Sequence, residues 1–172
     1  MNKTKYSSTT VLVVALFLSH LNWALAEEPL LFPTTEAEII NALKVDKMRG
    51  ISRINPDNPP KVGALIHFDY NSADIIPESY PLLHRYGRVL EQALTDATLV
   101  IAGHTDSKGP KLYNLGLSHQ RALSVKTFLT EHHQIAEYRL IISARGESQP
   151  IDTNRTETGR ARNRRVEFMR IE

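Results

Sequence analysis

Residues 97–121, ATLVIAGHTDSKGPKLYNLGLSHQR, decide how this chain is read. ATLVIA (97–102) has the make-up of a strand buried on both faces. Gly103, His104, Thr105 and Asp106 follow, then a Ser-Lys-Gly-Pro turn. From Pro110 the apolar spacing becomes helical. It predicts a helix over 110–132 with Leu115, Ala122, Val125 and Leu129 facing inward. Asp106 therefore stands at a strand exit, and Arg121 rides on a helix fifteen positions later. A carboxylate and a guanidinium can together hold a small group that bears both an ammonium and a carboxylate. Arg121 would lie ~16 Å along the helix at ~1.5 Å rise per residue, so this grip requires the loop to fold back beside the helix. On these residues alone, a plain surface ion pair is the simpler reading.

Working outward, ALIHF (64–68) is predicted to be a buried strand, and Asp69 to Ser72 a loop. Residues 77–94 read as a helix. Pro77 suits its first turn, and Leu82, Leu83, Tyr86, Val89, Leu90, Ala93 and Leu94 form one apolar stripe. Residues 139–144 are predicted as a third strand. VEFMRI (166–171) alternates apolar and polar, as does a strand wet on one side. The order is β-α-β-α-β, a loop with a short helix, then β. Helices between strands imply parallel crossovers, and the last strand is expected to pair antiparallel. The expected fold is α+β, a mixed sheet with its helices packed on one face.

The chain has 172 residues, of which 41% are hydrophobic and 23% charged, which fits one globular domain with extensions. It has no cysteine, which excludes disulfides and thiolate chemistry. Residues 1–26 read as a signal peptide. Lys3 and Lys5 open it, an apolar run of eight spans Val11 to Leu18, and Ala24-Leu25-Ala26 gives a small-x-small cleavage pattern. That run is far short of the ~20 residues that cross a bilayer, and no later segment is long and apolar enough to do so. Without this leader, 19 basic face 19 acidic residues, so no polyanionic partner is implied. Residues 27–61 form an amino-terminal extension. A helix is predicted over 34–48, with Thr35 and Glu38 as a capping box and Gly50 as its stop. The Pro-rich linker NPDNPPK follows and marks the boundary of the domain at 62–172. The helix either packs on that domain or docks an envelope protein partner.

Gly103-His104-Thr105-Asp106, Tyr113-Asn114, Leu117-Ser118, Arg121-Ala122 and Val125 together resemble the signature of the OmpA-like C-terminal domain. Gly146-Glu147, Pro150-Ile151, Asn154, Thr156, Gly159-Arg160 and Asn163-Arg164-Arg165-Val166-Glu167 extend the resemblance, as do Phe68-Asp69 and Asn71-Ser72. It covers about residues 62–172. The resemblance implies non-covalent binding of peptidoglycan in the periplasm through the diaminopimelate side chain, with association with the outer membrane as a further expectation. It carries the binding acid onto Asp106 and the binding arginine onto Arg121. Asn71, Thr105 and Asn114 are further ligand-contacting candidates. Asn71 is equally read as holding its own turn. Ala144 stands where the family commonly has glycine, and Gln134 where the second helix usually ends in glycine.

The remaining constellations are weaker. His104, His119, His132 and His133 lack the spacing of a zinc site, and no metal or cofactor is expected. Ser107 and Ser118 sit in no nucleophile motif. RARNRR (160–165) suggests nucleic acid, but export and alternation within a strand argue against it. Some of these arginines are expected to brace the binding loop. The expected activity is wall binding without catalysis. The competing readings are a peptidoglycan-modifying enzyme and an envelope adaptor acting mainly through its amino-terminal helix.

Overall fold

The computed structural model describes residues 29–45, 47–48, 51–52, 54–69 and 71–172. The leader expected over 1–26 and the helix stop at Gly50 lie outside the described residues. In chain order the elements are α1 (Glu36–Leu43), β1 (Lys47–Met48), β2 (Ile51–Ser52), β3 (Lys61–Ala64), α2 (Tyr80–Arg88), β4 (Leu99–His104), α3 (Lys111–His133), β5 (Leu140–Gly146), α4 (Glu157–Asn163) and β6 (Val166–Arg170). Among the described residues, no helix is long and apolar enough to cross a membrane.

The main sheet has the order β3-β6-β4-β5. β4 and β5 are parallel, with α3 as the crossover, while β6 runs antiparallel to both of its neighbours. The mixed sheet of the sequence reading is thus present, with the last strand at its centre. Val62, Phe168 and Ile101 are register partners, all fully buried, and Tyr86 of α2 stacks on Phe168 with ring centroids 4.3 Å apart. Gly103, two residues beyond Ile101, meets the backbone of α3 on that same side. Both long helices therefore cover one face.

Several boundaries differ from the sequence reading. The first strand is Lys61–Ala64, not 64–68. Its partner β6 starts at Val166, opposite Ala64, so no ladder remains for the residues beyond. Ile66 is still buried, but the His67 amide donates to Ser79 Oγ at 2.8 Å, outside any strand. α1 ends at Leu43 instead of 48. Lys44 turns extended (φ −67°, ψ 148°), and the Leu43 carbonyl accepts from Arg170 Nη1 at 3.3 Å instead of from the next helical turn. Residues 47–48 then pair with 51–52 in a small antiparallel ribbon. The capping box of Thr35 and Glu38 is formed as expected. Ile39 and Leu43 are fully buried in the common core, so α1 packs on the domain.

The helix read over 77–94 begins with a tight turn at Pro77–Ser79 and ends in a wide one at Val89–Ala93. In the wide turn the Leu94 amide donates to the Val89 carbonyl, five residues back. This rotates Ala93 out to solvent while Leu94 stays buried. Leu115, expected inside, is also exposed. The buried stripe of α3 runs Asn114, Ser118, Arg121, Ala122, Val125, Phe128, Leu129, and its first half is polar.

Candidate functional site

The polar half of α3 sits against the end of β4 because of Gly103. A Cβ there would lie 2.0 Å from the Ser118 carbonyl oxygen, so only glycine allows the helix backbone this close to the strand. Ser118 Oγ also accepts from the Gly146 amide at 3.0 Å, which ties the helix to the end of β5. Beyond β4 the Thr105 amide donates to the Gly146 carbonyl at 2.9 Å. The loop then turns through Gly109 (φ +97°), a left-handed backbone that suits glycine, into α3. The loop thereby folds back beside the helix, as the sequence reading required.

Asp106 and Arg121 line one cleft of about 460 Å³, together with Asn71, Thr105 and Asn114. All five residues expected from the sequence are brought together. Asp106 and Arg121 are each only 8% exposed, too buried for a plain surface ion pair. They do not neutralise each other either. Asp106 Oδ2 accepts from Arg164 Nη1 at 2.7 Å, and Oδ1 accepts from the Lys108 amide at 2.9 Å. Arg121 Nε donates to the Ser72 carbonyl at 3.1 Å, and its guanidinium lies 4.9 Å from the centroid of the Phe68 ring. Burial and then the Arg164 charge pull the Arg121 pKa below the usual guanidinium value. An anion placed against it would relieve both effects.

Asn114 is buried and fixes the loop. Its Nδ2 donates to the Asp106 carbonyl at 3.2 Å and to Glu147 Oε2 at 2.6 Å. Asn71 holds a left-handed backbone (φ +56°), which asparagine tolerates better than most residues. Its Oδ1 accepts from the Tyr113 hydroxyl. The backbone of Asn71 thus makes the turn, while its side chain faces the cleft. Thr105 is 5% exposed, and its Oγ1 has no hydrogen-bond partner among the described residues. A buried hydroxyl left unpaired is costly, and at a cleft wall it points to a ligand.

Arg164, Tyr113 and Phe68, which entered the sequence reading only as signature residues, and Glu157 and Lys108, which it did not single out, also line the cleft. Arg164 is one of the arginines that brace the loop. It bridges Asp106 and Glu157, the latter at 2.8 Å. Burial opposes its charge, but these hydrogen bonds outweigh burial and raise its pKa. Hydrogen bonds from Arg164 and Arg160 hold the Glu157 carboxyl down at about 2. The other arginines of the run serve the fold. Arg165 is buried against Glu167 and the Gln149 carbonyl, and Arg170 ties α1 to the sheet. His104 points to the opposite face, with Nε2 3.4 Å from Glu167 Oε1. Among the described residues, no group of three or more histidine, aspartate or glutamate side chains could hold a metal ion.

The fold and site define a mixed-sheet domain whose strand exit and crossover helix enclose a charged cleft of amino-acid size. The chain belongs to the OmpA family, whose model matches residues 67–164. It is 39% identical to outer membrane protein A of Bordetella avium over 101 residues, 59% of this chain and 51% of that protein. It is 36% identical to the peptidoglycan-binding protein ArfA of Mycobacterium tuberculosis over 107 residues, 62% of this chain and 32% of that one. Among solved structures it resembles the cell wall anchor of the T6SS from Pseudomonas aeruginosa, at 33% identity and a TM-score of 0.53, covering 61% of this chain and 75% of that one. The chain spans about half or less of the length of the curated relatives it matches.

Proposed function

We propose that this protein binds peptidoglycan without covalent attachment, by gripping the zwitterionic end of its diaminopimelate side chain. The ammonium meets the Asp106 carboxylate, each oxygen of which keeps acceptor capacity beyond its present bond. The carboxylate meets the terminal nitrogens of Arg121, since the bond to Ser72 uses only Nε. Thr105 Oγ1 and the Asn71 amide add neutral contacts. The observation that carries this reading is the enclosure of Asp106 and Arg121, unpaired with each other, in one cleft with an unpartnered Thr105 hydroxyl. The chain's similarity to a peptidoglycan-binding protein and to a cell wall anchor supports it.

Anchoring or scaffolding at the wall, in the periplasm, is the proposed role, and the leader expected over 1–26 accords with it. The burial of Ile39 and Leu43 against the domain favours wall binding over an adaptor acting through α1. The test is co-sedimentation with purified sacculi. Wild type is expected to pellet, and free diaminopimelate to release it. Pelleting that free diaminopimelate leaves unchanged would refute the assigned ligand. Muropeptides released in the same incubation would favour a modifying enzyme instead.

A further inference from the structure

The interface between α2 and α3 holds a group of aromatic and titratable side chains that the cleft does not use. His84 Nδ1 and His133 Nε2 face each other at 2.9 Å. One ring must supply the hydrogen and the other a lone pair, so the contact holds with both rings neutral or with one of them protonated. A second proton has no place in it, because both nitrogens would then carry hydrogens aimed at each other. His133 is buried and closely fitted. A Cβ added at Gly87 would lie 2.1 Å from its ring, so α2 presents bare backbone there. The charged groups around the pair are His132 of α3, Arg88 of α2 and Glu91 of the wide turn after α2. Glu36 of α1 holds Arg88 at 2.7 Å. Glu91 stands 3.5 Å from His133 Nδ1, where it supports a proton on His133 rather than on His84.

Contacts along the two helices lead in order from this pair to the cleft. His84 meets the Phe128 ring edge-on at 5.0 Å, and Tyr80 stacks on the same ring at 5.4 Å. Nearer the cleft, the Ser72 carbonyl accepts from Arg121 Nε. Just ahead of α2, Ser79 Oγ accepts from the His67 amide at 2.8 Å, next to Phe68, whose ring lies against the Arg121 guanidinium. The setting of α2 against α3 therefore fixes the Phe68 and Ser72 side of the cleft.

We propose that the His84–His133 contact is an acid-sensitive latch on the ligand-binding cleft, closed with at most one proton on the pair and opened by the second. The proposal rests on the peptidoglycan reading above. Opening tilts α2 from α3 and draws Phe68 and Ser72 away from Arg121. The guanidinium then loses the partners that aim it, and the ligand carboxylate is held less firmly. Burial, and then His133, His132 and Arg88, lower the pKa of His84. The parted ring takes its proton at the ordinary ~6.5 and the latched ring only further down, so acid below ~6.5 drives the latch open. One linked proton shifts the balance by up to about tenfold per pH unit.

The test is calorimetric titration of the full chain with a diaminopimelate-containing muropeptide at pH 7.5 and pH 5.0, with circular dichroism at both. Wild type is expected to bind about fivefold or more weaker at pH 5.0, with its spectrum retained. His84→Asn puts an uncharged amide, both donor and acceptor, where Nδ1 stands, and His84→Gln does the same on a longer arm. Position 84 is half-buried, so either variant should fold and bind equally at both pH values. His132→Gln changes an exposed neighbour outside the latch and should keep the wild-type loss. Equal wild-type affinity at both pH values overturns the latch and leaves the cleft reading standing. So do position-84 variants that weaken in acid as wild type does, and so does a wild type that loses its folded spectrum at pH 5.0. A wild type that binds at neither pH overturns the cleft reading and the latch with it.

Discussion

Replacing Arg121 with lysine keeps a positive charge and removes the planar fork, which makes it a sharper probe than alanine. In the free protein the guanidinium donates from Nε to the Ser72 carbonyl at 3.1 Å and lies over Phe68. Lysine loses the planar stacking, and its single ammonium cannot serve Ser72 and a ligand carboxylate with the same geometry. Hydrogen bonds of charged groups contribute about 1.5–3 kcal/mol each. Losing one or two of them weakens binding by roughly 2–4 kcal/mol, or about 30- to 1,000-fold in Kd. Stability should fall as well, because an ammonium buried at this position is more strongly hydrated than the guanidinium it replaces and costs at least as much to desolvate. The assay is titration with a diaminopimelate-containing muropeptide, alongside thermal melting. A Kd for Arg121→Lys within about threefold of wild type would show that a point charge suffices, and the fork assigned to Arg121 would be wrong.

Four other expectations follow from the same geometry. Arg164→Ala leaves the Asp106 carboxylate without its 2.7 Å partner, and should weaken muropeptide binding about tenfold or more by titration. Gly103→Ala places a Cβ 2.0 Å from the Ser118 carbonyl; pushing α3 away should lower stability in urea melts by about 1–3 kcal/mol and cut sacculus binding with it. Leu43→Ala should cost about 2–5 kcal/mol in the same melts, because α1 belongs to the core; a cost below about 1 kcal/mol would make α1 peripheral. Stability should also depend on pH in two windows. Burial lowers the pKa of His84, with His133 and His132 adding to the effect, and burial likewise lowers that of His104. The unfolded chain therefore takes up protons first, and stability is lost as pH falls below the ordinary histidine range of ~6.5. Burial opposes the charge of Glu167, but hydrogen bonds and charges from His104 and Arg165 hold its carboxyl down at about 2. Its contribution is present above the unfolded value of ~4.3 and is lost below it, as pH falls toward about 2. Melting temperatures from pH 8 to pH 3 check both signs, and His84→Gln should flatten the upper step.

The strand-turn-helix around Asp106 was legible because three signals coincide there: an apolar run, a Gly-Pro turn and a change of period. Strand ends were less so. Apolarity shows that residues 64–68 can be buried, but only the start of β6 at Val166 decides that the ladder stops at Ala64. The inward setting of Leu115 failed because the first half of the buried stripe of α3 is Asn114, Ser118 and Arg121. A rule that seeks apolar residues picks the neighbouring leucine. Polar residues at helical spacing on a helix that is otherwise amphipathic were the available sign of a site. Arg164 was not separable by sequence from the other five arginines of 155–172, since its role depends on Asp106, 58 positions away. Gln134 does take the left-handed conformation (φ +51°) of the position where the family resemblance led one to look for glycine.

The central claim is that one small zwitterion spans Asp106 and Arg121. A crystal structure of the protein soaked with diaminopimelate tests it most directly. The expected result is the ligand ammonium within ~2.7–3.2 Å of an Asp106 carboxylate oxygen and its carboxylate at similar distance from the Arg121 terminal nitrogens. Ligand density elsewhere on the surface, with Asp106 still held by Arg164 and no ligand atom against Arg121, would contradict it.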